Sequence, residues 1–261
     1  MITDVATMLF VPGDRPDRFA KAAAAGAGLV MLDLEDAVAS DRKDVARDCV
    51  VEWLAAGHKG AVRINPAGTP WHDADLGALA PYQTALMIPK AEPATLPERL
   101  GLIALVETAR GVLSVADIAA APGVRRLAFG SFDLSTELGV DPTDRDALAP
   151  ARGALVYASA AAGLAGPIDG VTGNLEDDAI LTSDVRYARR LGFTGKLCVH
   201  PRQVAVANTG LRPDSDQLRW AQEVVAAARR GAVAANGHMI DKPVVARAQR
   251  IVRQAEERIA R

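Results

Sequence analysis

Eight apolar runs of strand length alternate with amphipathic segments along this 261-residue chain, and the pattern predicts an α/β protein built as a (β/α)8 TIM barrel. Near-continuous apolar strands are typical of a parallel sheet that is buried on both faces. Several runs end in a charged side chain, which is costly to bury and is therefore expected at the open, carboxyl end of a barrel strand. A doubly wound sheet is the main alternative, but no G-x-G-x-x-G pattern follows the first strand.

Glycine, proline, aspartate and serine bound the predicted strands. The eight strands are predicted at Thr7–Pro12, Leu29–Glu35, Ala61–Pro66, Ala85–Lys90, Leu102–Thr108, Arg126–Asp133, Pro167–Thr172 and Lys196–Pro201. Helical segments lie between them. One is predicted over Ser40–Ala55, with Ser40 as its N-cap and Gly57 just after its end. Another is predicted over Arg110–Ala121, where Pro122 closes it.

The chain continues beyond the eighth strand, so we expect two regions: a catalytic barrel over 1–210 and a C-terminal helical extension over 211–261. The extension begins with a charged amphipathic helix over Asp214–Arg230. A turn-rich connection from Gly231 to Lys242 follows, and Pro243 opens a final helix that runs to about Ile259. A barrel does not require this tail, which is expected to pack on its own barrel or on a neighbouring subunit.

Composition narrows the class of partner. The chain is 49% hydrophobic and 24% charged with a net charge of −2, which is ordinary for a globular protein. No basic block stands out and aromatic residues are only 4%, so a nucleic-acid partner is not expected. No apolar run approaches the roughly 20 residues of a membrane helix. No export signal is evident, and Cys49 and Cys198 fit reduced core thiols, so we expect a cytoplasmic protein without a membrane partner.

Glu107 and Asp133 are the predicted metal ligands. Each ends an apolar run, and the two runs are neighbouring strands whose carboxyl ends meet at one mouth of the barrel. Mg²⁺ prefers oxygen ligands, usually takes one or two protein carboxylates, and leaves its other positions to water and substrate. The alternative interpretation is a pair of salt-bridged carboxylates at the rim.

A buried arginine is predicted at Arg63. Val62 and Ile64 flank it, and if both face the outer helices, the period-two alternation of a strand turns Arg63 toward the interior. A buried arginine needs an anion, which Glu35 or a substrate carboxylate could supply. A purely structural pair with Glu35 is the alternative.

Other candidates at the strand ends carry weaker signals. Lys90 has the position of a Schiff-base lysine, although an ion pair with a neighbouring carboxylate explains it better. Arg15 and Arg18 open the first helix and fit a phosphate-binding role, with an exposed helix face as the alternative. The turn at Gly130 and Ser131 offers backbone N–H groups to a substrate carboxylate, although tight turn geometry explains the glycine equally well.

A set of motifs in order along nearly the whole chain resembles the citrate lyase beta-subunit-like proteins of the aldolase/citrate lyase superfamily, which also holds malyl-CoA and citramalyl-CoA lyases. The motifs are LFVPGDRPDRFAKA, LDLEDAV, VRIN, PKAE, IALVETARG, FGSFDL, CVHPRQV and, in the tail, GHMIDKPVV. One departure is Phe132, which stands where relatives usually carry a smaller or polar residue and which leaves the choice of keto acid open.

The resemblance implies a Mg²⁺-dependent barrel. Its metal carboxylates fall on Glu107 and Asp133, its substrate-binding arginine on Arg63, and the glutamate that supports this arginine on Glu35. The tail aspartate falls on Asp241, which in the family acts as acid/base from a neighbouring subunit of a trimer or a hexamer of trimers. The implied oligomer is therefore a homotrimer or a larger assembly with the tail as an inter-subunit lid.

The implied reaction is cleavage or formation of a carbon–carbon bond in a 3-hydroxyacyl-CoA of the malyl-, citramalyl- or hydroxymethylglutaryl-CoA type, with an acyl-CoA and a keto acid as the other partners. The CoA phosphates are then expected near Arg15 and Arg18. Two alternatives stay open at this point: a CoA-independent, pyruvate-type aldolase, and a non-catalytic subunit that binds CoA or an organic acid.

Overall fold

The computed structural model describes residues 2–230, 234–235 and 238–257. Eight parallel strands close into a barrel in chain order, and the last strand pairs with the first. They are β1 Thr7–Pro12, β2 Leu29–Asp33, β3 Ala61–Arg63, β4 Ala85–Ile88, β5 Leu102–Val106, β6 Val124–Phe129, β7 Ile168–Asp169 and β8 Gly195–Cys198. The predicted (β/α)8 barrel is therefore confirmed.

Helices connect the strands and continue after the last one. The described helices are α1 Phe19–Ala23, α2 Lys43–Ala55, α3 His72–Leu79, α4 Ala109–Leu113, α5 Val115–Ala120, α6 Ser131–Leu138, α7 Arg145–Ala161, α8 Asp178–Leu191, α9 Pro201–Gly210, α10 Ser215–Arg229 and α11 Lys242–Glu257. Short 3-10 turns lie at Ile2–Asp4, Pro16–Arg18, Ser40–Arg42 and Pro93–Thr95. Among the described helices, none combines the length and the apolar character that a membrane span requires.

Two predicted helices differ in detail. Ser40 lies inside a 3-10 turn and its side chain caps no helix, so α2 begins three residues later at Lys43. The helix predicted over Arg110–Ala121 is two helices with a break at Ser114. The Ser114 hydroxyl donates a hydrogen bond to the carbonyl of Arg110, one turn back, and such bonds compete with the regular helical pattern.

Seven of the eight strands end earlier at the mouth than the sequence predicts, while β1 ends at Pro12 as predicted. β6 ends at Phe129, and Asp133, predicted at the end of that strand, lies in the first turn of α6. The Gly130 N–H makes one further bond to the neighbouring strand, at the carbonyl of Val106, and the chain then turns into the helix. Phe132, at the start of α6, extended the apparent apolar run, since a short apolar run does not distinguish a strand from a helix start.

The barrel interior is an apolar cluster formed by alternate residues of the strands. Its buried members are Val5, Met8, Met31, Ala61, Met87, Ile103, Leu105, Ala128, Ile168 and Leu197. Asp33, Arg63 and Glu107 continue the same alternation, each two residues after one of these side chains. The interior is therefore apolar in the centre of the barrel and charged at the mouth, where the strands end.

A buried ionic group lies on the outer face of the strands, under α7. Asp169 accepts hydrogen bonds from Arg152 Nε at 3.0 Å and from Lys196 Nζ at 2.8 Å. Burial alone would raise the pKa of Asp169, but the charges of Lys196 and Arg152 outweigh it and lower the pKa. The guanidinium of Arg152 also lies over the Phe129 ring, 4.7 Å from its centre. This group fixes α7 against β7 and β8.

The chain divides into two compact units, Met1–Asn208 and Thr209–Arg261. In the second unit α10 and α11 pack through Ala221, Val224 and Ala248. Asp214 caps α10 by accepting a hydrogen bond from the Gln217 N–H, and the Asp214 N–H donates one to Gln217 Oε1. The last two residues of the helix predicted to Ile259, and part of the predicted 231–242 connection, lie outside the described residues.

Candidate active site

Arg63 ends β3 and is held by the last residue of β2. Its Nε donates to Asp33 Oδ1 at 2.7 Å and its Nη2 to Asp33 Oδ2 at 2.6 Å, which is a bidentate pair between two buried side chains. The two residues are direct partners in the register of β2 and β3. Burial alone would lower the pKa of Arg63, but the charges and hydrogen bonds of Asp33 and its acidic neighbours raise it, so the guanidinium stays charged.

Glu35 connects the arginine to a lysine on the other side of the mouth. Its Oε2 lies 2.8 Å from Arg63 Nη1, and its Oε1 accepts a hydrogen bond from Lys90 Nζ at 3.0 Å. The pKa of Glu35 is raised because its burial outweighs the attraction of Arg63. Glu35 thus lies beside Arg63 as predicted, while the bidentate partner is Asp33.

Glu107 follows β5 and is almost fully buried. Its Oε1 accepts a hydrogen bond from the Lys90 N–H at 2.8 Å, and the described residues offer its Oε2 no hydrogen bond. Burial and then the charges of Glu35 and Asp133 raise the pKa of Glu107 to about 8. A β-carbon on Gly130 would collide with the Glu107 side chain, so the glycine is what leaves room for the carboxylate.

Lys90 has a backbone angle φ of +48°, the left-handed region that non-glycine residues avoid. Its ammonium pairs with Glu35 and lies 3.7 Å from Asp133 Oδ1. Burial works to lower the pKa of Lys90, but the hydrogen bond to Glu35 and the surrounding carboxylates raise it overall. A Schiff-base lysine needs a lowered pKa, so the ion-pair interpretation of Lys90 fits better.

The donor set at this mouth suits a hard divalent cation. Glu107 Oε2 carries no hydrogen bond from the described residues, and the Asp133 side chain is 38% exposed, so both have oxygens to offer. Two carboxylates with room for water and substrate oxygens is the usual protein share of a Mg²⁺ site. The described residues contain no group of three or more His, Cys, Asp or Glu side chains placed to hold a metal by themselves.

The remaining predicted site residues lie around this centre or in the C-terminal unit. Ser131 is buried at the start of α6, beside Asp133. Arg15 and Arg18 follow β1, and both Nε and Nη2 of Arg15 donate to Asp17 at 2.9 Å. Asp241 belongs to the C-terminal unit, where its Oδ1 accepts a hydrogen bond from the Val244 N–H at the start of α11.

Two residues of the network escaped the sequence reasoning. Asp33 lies in the LDLEDAV motif, in which the sequence singles out only Glu35 for a role, although Asp33 precedes it by two residues and shares its side of the predicted strand. The predicted strand ends, Glu35 and Pro66, would align Asp33 with Ile64, so its pairing with Arg63 follows only from the register of the folded strands. Lys43 lies on α2, and its Nζ donates to the carbonyls of Leu34 and Glu35, both at 2.8 Å. No local pattern marks such a lysine, because the contact depends on how the helix packs.

The barrel carries at the carboxyl ends of its strands an arginine fixed by Asp33 and two carboxylates with accessible oxygens. This arrangement is typical of a barrel enzyme that binds a divalent cation. The chain belongs to the HpcH/HpaI aldolase/citrate lyase family, which it matches over residues 6–96 and 95–201. The resemblance seen in the sequence motifs is thereby confirmed.

Relatives that match nearly the whole of this chain support the same family. A citrate lyase subunit beta-like protein of Mycobacterium tuberculosis is 41% identical over 95% of both chains. A (3S)-malyl-CoA thioesterase of Cereibacter sphaeroides is 33% identical, over 96% of this chain and 94% of its own. The crystal structure of CitE from Mycobacterium tuberculosis with magnesium, acetoacetate and coenzyme A has a TM-score of 0.89 and 38% identity, over 98% of this chain and 100% of that one.

Proposed function

We propose that this chain is a Mg²⁺-dependent carbon–carbon lyase or synthase acting on a 3-hydroxyacyl-CoA of the malyl-, citramalyl- or hydroxymethylglutaryl-CoA type. The observation that carries the proposal is the meeting of the Arg63 clamp with the open carboxylates of Glu107 and Asp133 at one barrel mouth. Support for the ligand classes comes from the related CitE structure, which holds magnesium, a keto acid and coenzyme A.

Glu107 and Asp133 are the proposed protein ligands of Mg²⁺. When bound, the ion supplies Lewis-acid polarisation of substrate oxygens and fixes the keto acid's orientation. The Lys90 N–H holds one oxygen of Glu107, so the carboxylate presents its other oxygen in a fixed direction. The Ser131 N–H, in the first turn of α6 next to Asp133, is the proposed contact of the substrate carboxylate. The Gly130 N–H, predicted to share this role, already donates to the carbonyl of Val106.

Arg63 is proposed to face the thioester oxygen. Asp33 takes one N–H from Nε and one from Nη2, which fixes the plane of the guanidinium and leaves the second Nη2 N–H to a substrate oxygen. During cleavage, the electrons of the broken carbon–carbon bond move into the acyl-CoA enolate. A fixed cation beside the enolate oxygen stabilises that developing charge without reorganising. Glu35 supports the position of Arg63 from the other side.

Asp241 is proposed as the acid/base. In cleavage its carboxylate would take the proton of the substrate hydroxyl, and in condensation it would take a proton from the acyl-CoA methyl group. The family resemblance places this residue in the site of a neighbouring subunit, so the proposed assembly is a homotrimer or a larger multiple. Arg15 and Arg18, on the loop after β1, are the proposed contacts of the CoA phosphates.

A second reaction is favoured by one relative. The (3S)-malyl-CoA thioesterase is 33% identical over nearly the whole chain, and its name states hydrolysis of the thioester. In that reaction water attacks the thioester carbon, the carbon–sulfur bond breaks, and free CoA and malate leave. The same Arg63 position beside the thioester oxygen would serve both reactions, so only the products separate them.

The test is a product screen by mass spectrometry with Mg²⁺ or with EDTA. Malyl-, citramalyl- and hydroxymethylglutaryl-CoA are supplied for cleavage, and acetyl- or propionyl-CoA with glyoxylate or pyruvate for condensation. Mg²⁺-dependent appearance of an acyl-CoA and a keto acid is the expected result. Free CoA with an intact hydroxy acid would instead establish the thioesterase. No turnover of any CoA substrate would contradict both.

The Arg63→Lys variant gives a residue-level check of the same proposal. A lysine keeps the positive charge but cannot reproduce the planar fork that Asp33 holds, so we expect the turnover to fall by at least about a hundredfold. Arg42→Lys is the control, because Arg42 is a partly exposed arginine whose contact is Asp14, outside this network. Turnover of Arg63→Lys close to that of the control would remove Arg63 from the mechanism.

A further inference from the structure

Lys90 is held at the mouth by its backbone. Among the described residues it is the only one other than glycine with a positive φ, at +48°. Strained backbone of this kind persists where surrounding contacts fix it, and it is most frequent at functional sites. Here the conformation directs the Lys90 N–H at Glu107 Oε1, 2.8 Å away. The main chain of Lys90 therefore stays with one proposed metal ligand.

The side chain of Lys90 reaches the other proposed metal ligand. Its Nζ lies 3.0 Å from Glu35 Oε1 and 3.7 Å from Asp133 Oδ1, and the side chain is 41% exposed. The ammonium is thus a cation inside the carboxylate group, bonded closely to Glu35 and more loosely to Asp133. Of the two contacts, the one to Asp133 is the easier to give up.

We propose that the Lys90 ammonium is a placeholder cation, which neutralises the carboxylates of the metal-free site and yields Asp133 when a divalent ion binds. The inference rests on the metal site of the proposed function. Mg²⁺ binds carboxylate oxygens at about 2.0–2.1 Å, so an ion on Asp133 and an ammonium near the same carboxylate repel each other at short range. Glu35 gives the displaced ammonium a partner, so the side chain moves while the backbone stays.

The placeholder has two measurable consequences. It competes with the metal ion, so a neutral side chain at position 90 should tighten Mg²⁺ binding. The Lys90 ammonium also neutralises negative charge in the metal-free protein. A neutral side chain at position 90 should therefore lower the melting temperature in EDTA, and added Mg²⁺ should restore it. A lysine that only helps the fold would lower the melting temperature equally in both conditions.

The experiment titrates MgCl₂ into metal-free protein by calorimetry and records thermal unfolding with EDTA or Mg²⁺. Lys90→Met removes the charge and keeps the length of the side chain. Lys90→Gly removes the charge and accepts the positive φ, so it guards against a folding failure of the first variant. Lys59→Met is the control for net charge, because Lys59 is exposed and precedes β3, at the opposite end of the barrel.

Both Lys90 variants are expected to bind Mg²⁺ about three- to tenfold more tightly than the wild type, while Lys59→Met binds unchanged. Unchanged or weaker binding by both Lys90 variants would overturn the placeholder role. The Glu107→Gln variant tests the metal site separately and should lose the Mg²⁺ signal. If the wild type gives no Mg²⁺ signal, or Glu107→Gln retains it in full, the metal site itself is wrong and the placeholder is wrong with it.

Discussion

Replacing Asp33 by asparagine removes one negative charge from the Arg63 clamp and changes almost nothing in shape. Asp33 accepts four hydrogen bonds, two from Arg63 and two from the backbone N–H groups of Glu35 and Ala37. An asparagine has one acceptor oxygen, so two of these donors would face an amide NH₂ group instead. The guanidinium would stay buried with Glu35 and Asp36 as its remaining anions.

The size of the effect follows from the burial of the pair. The Asp33 side chain is 1% exposed and that of Arg63 is 11% exposed, so water cannot replace the lost partner. Removing one member of a buried ion pair typically costs about 3–5 kcal/mol. We therefore expect Asp33→Asn to lower the free energy of unfolding by that amount, and to lower turnover because the guanidinium plane is no longer fixed.

Asp36→Asn is the matched control, because Asp36 contacts the same guanidinium at 3.4 Å but its side chain is 58% exposed. Exposed ion pairs contribute about 0–1 kcal/mol, so this control should change little. Urea unfolding followed by circular dichroism, together with turnover of the substrate found in the product screen, gives both readouts. Equal losses of stability in the two variants would refute the assignment of Asp33 as the principal partner of Arg63.

Two further predictions concern the metal site and the outer ionic group. Gly130→Ala should weaken Mg²⁺ binding at least about tenfold, since the new methyl group collides with Glu107. The control Gly153→Ala places its methyl group in open space on α7 and should bind Mg²⁺ as the wild type does. Calorimetry measures both affinities, and equal values would contradict the predicted collision. Asp169→Asn should cost about 3–5 kcal/mol at neutral pH. The folded-state pKa of Asp169 is lowered, so its contribution to the free energy of unfolding is present above the unfolded pKa of about 3.9 and is lost as pH falls through the folded value. The free energy of unfolding of the variant, measured in urea, should therefore fall less steeply with acid than that of the wild type. The same pH slope in both proteins would contradict this.

The barrel was predictable because its signals are local and repeat. Each strand is an apolar run with a turn residue at its end, and β1 was placed to the residue at Thr7–Pro12. The carboxyl ends were less predictable, since residues after a strand stay apolar where loops and helix starts are buried. Asp133 is an example, because Ser131 and Phe132 before it belong to α6, so the predicted strand is too long.

The charged strand ends predicted which side chains meet at the mouth, without predicting which of them pair. Glu35, Arg63, Glu107 and Asp133 were all found from position alone. Which carboxylate Arg63 binds depends on strand register, and Asp33 lies directly opposite it. The Lys90 contacts depend on a positive φ, which a lysine in the sequence does not predict. Charge positions are thus readable in the sequence, whereas contacts between them need the folded backbone.

The balance of charge at the mouth favours a divalent ion at the proposed metal site. The mouth holds five carboxylates and three cations, which are Asp33, Glu35, Asp36, Glu107 and Asp133 with Arg63, Lys90 and Lys43. Arg63 and Lys90 pair with carboxylates, whereas Lys43 donates to the backbone carbonyls of Leu34 and Glu35. With every group ionised the network carries two excess negative charges, and their repulsion is one reason why the pKa of Glu107 rises to about 8. A divalent ion at the proposed site would remove the excess, and Glu107 could then ionise as the proposed ligand. A neutral side chain at position 90 enlarges the excess, so tighter Mg²⁺ binding is the expected direction.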